Sequence, residues 1–308
     1  MVSVSAVLFA INGVVSKVLI NAGFSALQLT TVRTAAGFAC LATYLGLTRA
    51  KSLQIRRREL PWLAGYGVIG LFLSPLCYFL AISRLPISIG LLLQYTAPVF
   101  IAIWARFAQG RPVRSRLWWG LSVCLAGVIL VVNALGDLRI DIWGVAAGCG
   151  AALLVATYFV LSEKGVGKRD TLSLMCWAFA AAGLLGSALS PWWKMPWGAL
   201  FSWEHPWTGT LALGYFVVFG SVLPYLLVIG AMRYLSATNV GILAMLEVVV
   251  ATALAWIFLD ESLTPLQIFG GALLLAGVIA AETARVPAVV DDVELAAPKT
   301  PLAATGTP

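Results

Sequence analysis

An all-α integral membrane protein of ten transmembrane helices, arranged as two inverted repeats of five, is the fold class this sequence predicts. Three observations predict it. The 308 residues are 61% hydrophobic and only 11% charged, with a mean hydropathy of +0.94, whereas soluble domains carry about 45–50% apolar and about 25% charged residues. The apolar residues gather into runs of near-membrane length, and a span needs about 20 of them. The second half of the chain also repeats the first in order.

The expected spans are 2–21, 25–47, 61–82, 87–107, 117–134, 142–162, 171–190, 208–232, 237–259 and 265–284. Turn or charge signals separate them: Pro61, Leu85-Pro86, Gly110 to Pro112, Gly136-Asp137, Gly165 to Asp170 and Thr264-Pro265. The first run, Val2 to Ile20, lacks a basic leader segment and reads as a span rather than a signal peptide. Pro191 to Trp207 holds five tryptophans and reads as an interfacial belt. Residues 286–308, rich in Pro, Ala and Thr, read as a disordered cytoplasmic tail.

Charge sets the orientation. With the N-terminus inside, fifteen of the twenty Lys and Arg residues fall in inner loops and the tail. Outer loops hold only Arg84, Arg139 and Lys194. Both termini are therefore expected in the cytoplasm, in a plasma or inner membrane. The net charge of +7 lies in short clusters between apolar runs, which fits anionic lipid and not nucleic acid.

Leu-Ala-Gly-Val-Ile at 125–129 recurs at 275–279. At the same offset of 150, Gly120 falls on Gly270, Leu85 on Leu235 and Ala81 on Ala231; earlier in each half the offset is 146, placing Ala35, Ala36 and Gly37 on Ala181, Ala182 and Gly183, and Ser16 on Ser162. The expected units are residues 1–134 and 142–284. Five helices per unit make the second copy enter from the opposite side, the construction of alternating-access transporters with a midplane site.

Arg84 to Gly90 (Arg-Leu-Pro-Ile-Ser-Ile-Gly) and Gln94 to Pro98 (Gln-Tyr-Thr-Ala-Pro) resemble a helix signature of the EamA-type family, in the drug/metabolite transporter superfamily. Arg233 to Asn239, Leu246-Glu247, Asp260 to Gln267 and Gly270 resemble its second copy. The resemblance covers residues 1 to about 284. It implies ten helices, two EamA repeats and movement of amino acids or related metabolites, often as export. Two positions depart from the family pattern: Gly110-Arg111 where Gly-Glu is frequent, and Val248 after Glu247 where Pro is common.

Glu247 is the deep acid of the ninth span. A charge there costs roughly 2.5–3.5 kcal/mol on insertion scales, so it is a candidate for binding a proton or a substrate ammonium. Arg33 is its natural counter-charge, either paired with it or holding a substrate carboxylate. An amino-acid zwitterion could replace that pair. Asn12, Gln94, Tyr95, Tyr78 and Tyr225 are further polar groups at depth; the plain alternative is interhelical hydrogen bonding at about 0.6 kcal/mol each. Lys17, near its helix end, is expected to snorkel to the interface. Pro75, Pro98 and Pro224 are expected to kink their helices. Gly144 and Gly148 read as a close-packing face.

No cofactor or metal site is expected, since the one histidine, His205, lies in a loop. Gly165-Val-Gly167-Lys168 lacks phosphate-loop spacing, so a gradient of ions, protons among them, or of solute must drive transport. The leading reading is a secondary transporter exporting amino acids or related small molecules. Cation or drug efflux and nucleotide-sugar-like transport are alternatives within the class. A membrane enzyme or assembly subunit is the alternative outside it, and one deep acid with one histidine is a poor basis for catalysis.

Overall fold

The computed structural model describes residues 1–107, 115–133, 141–165, 170–201, 206–231 and 243–284. The expected tail, His205, Gly110-Arg111, the basic positions Lys168 and Arg233, and residues 237–242 of the ninth span lie outside the described residues. Within them the chain is helical and carries no β-strand. The helices are α1 (Val2–Asn21), α2 (Ala26–Thr48), α3 (Leu60–Gly67), α4 (Ser74–Arg84), α5 (Ile87–Gln94), α6 (Ala97–Phe107), α7 (Ser115–Asn133), α8 (Ile142–Gly165), α9 (Thr171–Leu189), α10 (Pro206–Val217), α11 (Leu223–Ala231), α12 (Leu246–Leu259) and α13 (Pro265–Ala284).

Among the described residues five helices are long and apolar enough to cross a membrane, and four shorter ones are apolar. α2 is the helix outside both groups, because it carries Arg33 and several threonines. Those threonines fold their hydroxyls onto the preceding turn, Thr30 to Ala26 O, Thr31 to Leu27 O and Thr34 to Thr30 O, each at 2.8 Å. That local bonding satisfies them without water. Trp256, Phe258, Ile268 and Phe269 face outward instead, as side chains in contact with lipid do.

Helix ends are fixed by side chains. Ser25 and Gln28 form a capping box at the start of α2, and Thr264 and Gln267 form one at the start of α13. Gln28 Nε2 also donates to Lys194 O, tying α2 to the tryptophan-rich segment. That segment forms two 3₁₀ turns, Trp192–Lys194 and Trp197–Leu200, with Trp192 and Trp197 stacked at 6.1 Å. Asp141 accepts from Trp143 N and Gly144 N at the head of α8, and its other oxygen takes Arg84 Nη1 at 2.7 Å. Arg84 holds the Asp141 carboxyl below its usual range. The contribution of this pair is thus present above the ordinary carboxylate pKa and is lost only as pH falls through the lowered value.

α7 packs lengthwise on α13, and α2 on α9. Both pairs are antiparallel and seamed by glycine. A Cβ on Gly120 would lie 2.9 Å from Gly277 O, and one on Gly277 would lie 2.7 Å from Gly120 O. Gly127 and Gly270 meet in the same reciprocal way, at 2.6 and 3.0 Å. Only hydrogen fits between such backbones. Gly144 and Gly148 of α8 receive Leu85 and Leu93 likewise.

Two helices are widened at matching places. Val68–Leu73 joins α3 to α4, and Val218–Val222 joins α10 to α11, each as a π turn followed by Ser74-Pro75 or Leu223-Pro224. Proline has no N–H and its ring crowds the carbonyl four residues back, so the turn before it opens. Ser221 Oγ donates to Phe216 O across the widened turn.

Candidate functional site

The π turns create room for side chains of neighbouring helices. Asn12 Oδ1 of α1 sits 1.9 Å from where a Cβ on Gly220 would stand, and Tyr158 of α8 occupies the same place at Gly70. Gly70 and Gly220 are 150 apart, Asn12 and Tyr158 146 apart, so the repeat register relates these two contacts. They differ in chemistry. Tyr158 stacks on Tyr66, whereas Asn12 presents a buried oxygen with no hydrogen-bond partner. Gly220→Ala is expected to displace Asn12 and abolish transport, measured as solute exchange in proteoliposomes. Gly214→Ala, where a Cβ meets nothing within 4 Å, is expected to leave exchange unchanged; equal activity of the two variants contradicts this placement.

The fourth and ninth expected spans are both discontinuous. α5 stops at Gln94, and Tyr95-Thr96 turn before α6 starts at Ala97 with Pro98 in its first turn. The expected span 87–107 is thus interrupted at Tyr95-Thr96. Met245 makes the corresponding turn, 150 residues on, before α12. The breaks face each other across one hydroxyl: Tyr95 Oη lies 2.7 Å from Ala244 O and 3.1 Å from Glu247 Oε2. Glu247 stands in the first turn of α12, where unsatisfied backbone N–H groups favour negative charge. Tyr78 brings its hydroxyl against Gly13, the neighbour of Asn12 on α1.

Arg33 is 5% exposed. Its Nη2 donates to Tyr225 Oη at 3.1 Å, and its guanidinium lies 5.4 Å from the Tyr225 ring centre. Phe9 and Phe179 meet that ring edge-on at 5.3 and 6.3 Å and fix its plane. The expected direct pairing of Arg33 with Glu247 is not formed. The ion pairs among the described residues are Lys17–Glu261 and Arg84–Asp141, and Arg33 and Glu247 each meet a tyrosine instead. Arg33 still lies within electrostatic range of Glu247. Beside Asn12 Oδ1, two other buried side-chain atoms among the described residues lack partners: Arg33 Nε and Gln94 Oε1.

Lys17 is tied to neighbouring elements. Its Nζ donates to Ile82 O and, at 2.8 Å, to Leu85 O, the free carbonyls at the end of α4. It also lies 3.5 Å from Glu261 Oε1, with both side chains 15% exposed. Glu261 Oε2 accepts from Ile87 N at 2.8 Å, at the head of α5. Asp260, in the left-handed region at φ 54°, ends α12 and turns the chain into this contact. Two carbonyls at the end of α4 and the Glu261 carboxylate of the α12–α13 connection thus converge on Lys17, and Glu261 ties in the head of α5. The sequence reading missed this cluster, although Glu261 stood in the quoted motif and Lys17 was a charge inside a span.

The EamA-like transporter family matches the chain twice, over residues 1–133 and 142–282. This chain belongs to the EamA-like transporter family. An uncharacterized transporter of Archaeoglobus fulgidus is 30% identical over 269 residues, covering 87% of this chain and 91% of that protein. The threonine/homoserine exporter RhtA of Escherichia coli is 27% identical over 271 residues, 87% of this chain and 85% of its own length. The pseudopaline exporter CntI of Pseudomonas aeruginosa is 25% identical over 266 residues, 84% and 87% of the two chains. One crystal structure superposes with a TM-score of 0.53 at 20% identity, over 90% of this chain and 96% of that one, a likeness of fold. This EamA protein is accordingly a multi-pass membrane transporter and not an enzyme.

Proposed function

We propose that this EamA protein exports small zwitterionic amino-acid-like solutes by alternating access, across a plasma or inner membrane with both termini in the cytoplasm. The observation that carries the reading is the set of buried orphans. Arg33 Nε is a cationic donor with no carboxylate beside it, and Asn12 Oδ1 and Gln94 Oε1 are acceptors with no donor. A buried polar atom left unmade costs about 1–3 kcal/mol, more when charged, and such atoms mark a place where a ligand completes the bonding. A solute carboxylate suits Arg33; an ammonium suits Glu247, Asn12 and Gln94. A buried guanidinium is a poor neighbour for a lipophilic cation, and one arginine is a thin match for a nucleotide-linked diphosphate. The exporter names of RhtA and CntI agree with small-solute export.

Alternating access is supported by the reciprocal glycine contacts. Gly120 with Gly277 and Gly127 with Gly270 exchange identities under a shift of 150 and join antiparallel helices. A two-fold axis in the membrane plane generates that pattern, whereas an axis along the membrane normal generates parallel pairs. The helix breaks at Tyr95 and Met245, 150 residues apart, fit such a pair of halves.

The test is counterflow of a panel of labelled amino acids, L-threonine included, in proteoliposomes. Wild type is expected to exchange at least one of them, and Arg33→Gln to lower that exchange about 10- to 100-fold, the loss of a charged hydrogen bond of about 1.5–3 kcal/mol. Exchange of none, or equal exchange by Arg33→Gln, would refute the reading.

A further inference from the structure

We infer that Tyr95 is a positioning residue that couples a proton on Glu247 to the break in the ninth span, by moving one hydroxyl hydrogen between two acceptors. The inference rests on the zwitterion reading for its substrate, but not for its proton chemistry.

A phenol has one hydrogen to give. Tyr95 Oη is within hydrogen-bond distance of two oxygens at once, Ala244 O at 2.7 Å and Glu247 Oε2 at 3.1 Å. A carbonyl oxygen can only accept. Tyr95 can donate to either oxygen; when its hydrogen goes to Ala244, the Glu247 contact is completed by Glu247 donating to Tyr95 Oη. Glu247 does so as a neutral acid. An ionised Glu247 would set two electron-rich oxygens facing each other, and Tyr95 would turn its hydrogen to the carboxylate, a charge-assisted bond about twice as strong. Ala244 O then loses its donor. Ala244 is the residue immediately before the Met245 turn, so its carbonyl belongs to the break itself.

The charged and titratable groups around Glu247 agree with this two-state arrangement. Tyr95 contacts it from the α5–α6 break, Tyr78 of α4 and Arg33 of α2 lie within electrostatic range of it, and Glu261 lies within that of Tyr78. No cation touches Glu247 among the described residues. A solute ammonium arriving there takes the place of the proton: the acid O–H bond breaks, the proton leaves to water, and the carboxylate binds the ammonium while Tyr95 turns to it. Ala244 O, released, becomes a further acceptor for the same ammonium. Proton and solute thus compete for one carboxylate, the requirement for exchanging one against the other, and Tyr95 reports which is bound to the helix break.

Infrared difference spectra of the purified protein in lipid, recorded across a pH titration, read this without any substrate. Wild type is expected to show a protonated-carboxyl band that Glu247→Gln removes. Tyr95→Phe is expected to keep the band but move it to higher wavenumber, since the acid has lost the oxygen it donates to. In proteoliposomes Tyr95→Phe is expected to lose accumulation driven by a pH gradient. Absence of the band from wild type, or a band that Tyr95→Phe leaves in place, overturns the inference. Unchanged gradient-driven accumulation by Tyr95→Phe overturns it as well. If threonine and its analogues do not move but the band behaves as described, the zwitterion reading fails and the proton switch stands.

Discussion

Replacing Lys17 by methionine is expected to open the end of the bundle where α1, α4, α5 and the α12–α13 connection meet. The side chain keeps its length and packing but loses every donor. Ile82 O and Leu85 O are then left as free helix-end carbonyls, and Glu261 keeps only Ile87 N. Each unsatisfied group costs about 1–3 kcal/mol where water is excluded, and the lone carboxylate more. The charge bias leads to the expectation that this end faces outward, where loss of the cluster exposes the helix ends to external reagents. A cysteine placed at Ser88, a buried residue next to Ile87, measures the closure in a background freed of native cysteines. Lys17→Met is expected to raise its labelling by an external, membrane-impermeant maleimide at least about tenfold, the equivalent of 1.4 kcal/mol. Glu261→Gln, which can still accept from Ile87 N and from Lys17, is expected to raise it less. Labelling that does not respond to either change would show that the cluster is not a closure.

The second large effect belongs to the crossing of α7 and α13. A methyl group on Gly277 would stand 2.3 Å from Cys124 N, and one on Gly127 2.5 Å from Leu274 N. Backbone cannot step aside as a side-chain tip can, so the helices must separate along their whole seam. Overpacking costs about 1–3 kcal/mol where only side chains shift, and this contact belongs at the upper end or beyond. Thermal unfolding in detergent is expected to fall sharply for Gly277→Ala and for Gly127→Ala. Gly65→Ala, with nothing within 4 Å, is expected to gain slightly from better helix propensity. Because Gly127 and Gly270 touch the same spot, their double alanine variant is expected to cost less than the two singles added together. Strict additivity would mean that the two glycines do not share a contact.

Much of this was legible in the sequence because the bilayer imposes strong rules. The repeat register that places Gly120 on Gly270 in the sequence also relates Gly70 with Tyr158 to Gly220 with Asn12 in space. Asn12, Gln94 and Arg33 stood out because polar groups are costly at depth, and all three hold an unpartnered atom. What hydropathy could not show was where a helix interrupts itself. Tyr95-Thr96 and Met245 are ordinary residues in apolar runs, and only the proline after the first break hints at it. Opposite charge was also a weak guide to pairing: Arg33 and Glu247 attract in sequence logic, but each sits against a tyrosine on another helix. Lys17 looked like a snorkelling residue because its partners are two backbone carbonyls and a glutamate 244 positions away, none visible from α1 alone. The same register puts Glu163 at the place of Lys17 and Arg111 at that of Glu261. The Gly110-Arg111 departure from the family pattern thus comes with an opposite charge change at its partner position.

The central claim is that one solute carries both the carboxylate that Arg33 lacks and the ammonium that Glu247, Asn12 and Gln94 lack. Competition in threonine counterflow tests it most directly, using threonine, its methyl ester and its decarboxylated amine as unlabelled competitors. The account predicts that threonine competes best, and that each blocked or truncated analogue competes at least about tenfold less well, one charged hydrogen bond being worth 1.4 kcal/mol or more. It also predicts that Arg33→Gln erases the difference between threonine and its methyl ester. If the methyl ester competes as well as threonine in wild type, Arg33 does not bind a carboxylate and the assignment is wrong.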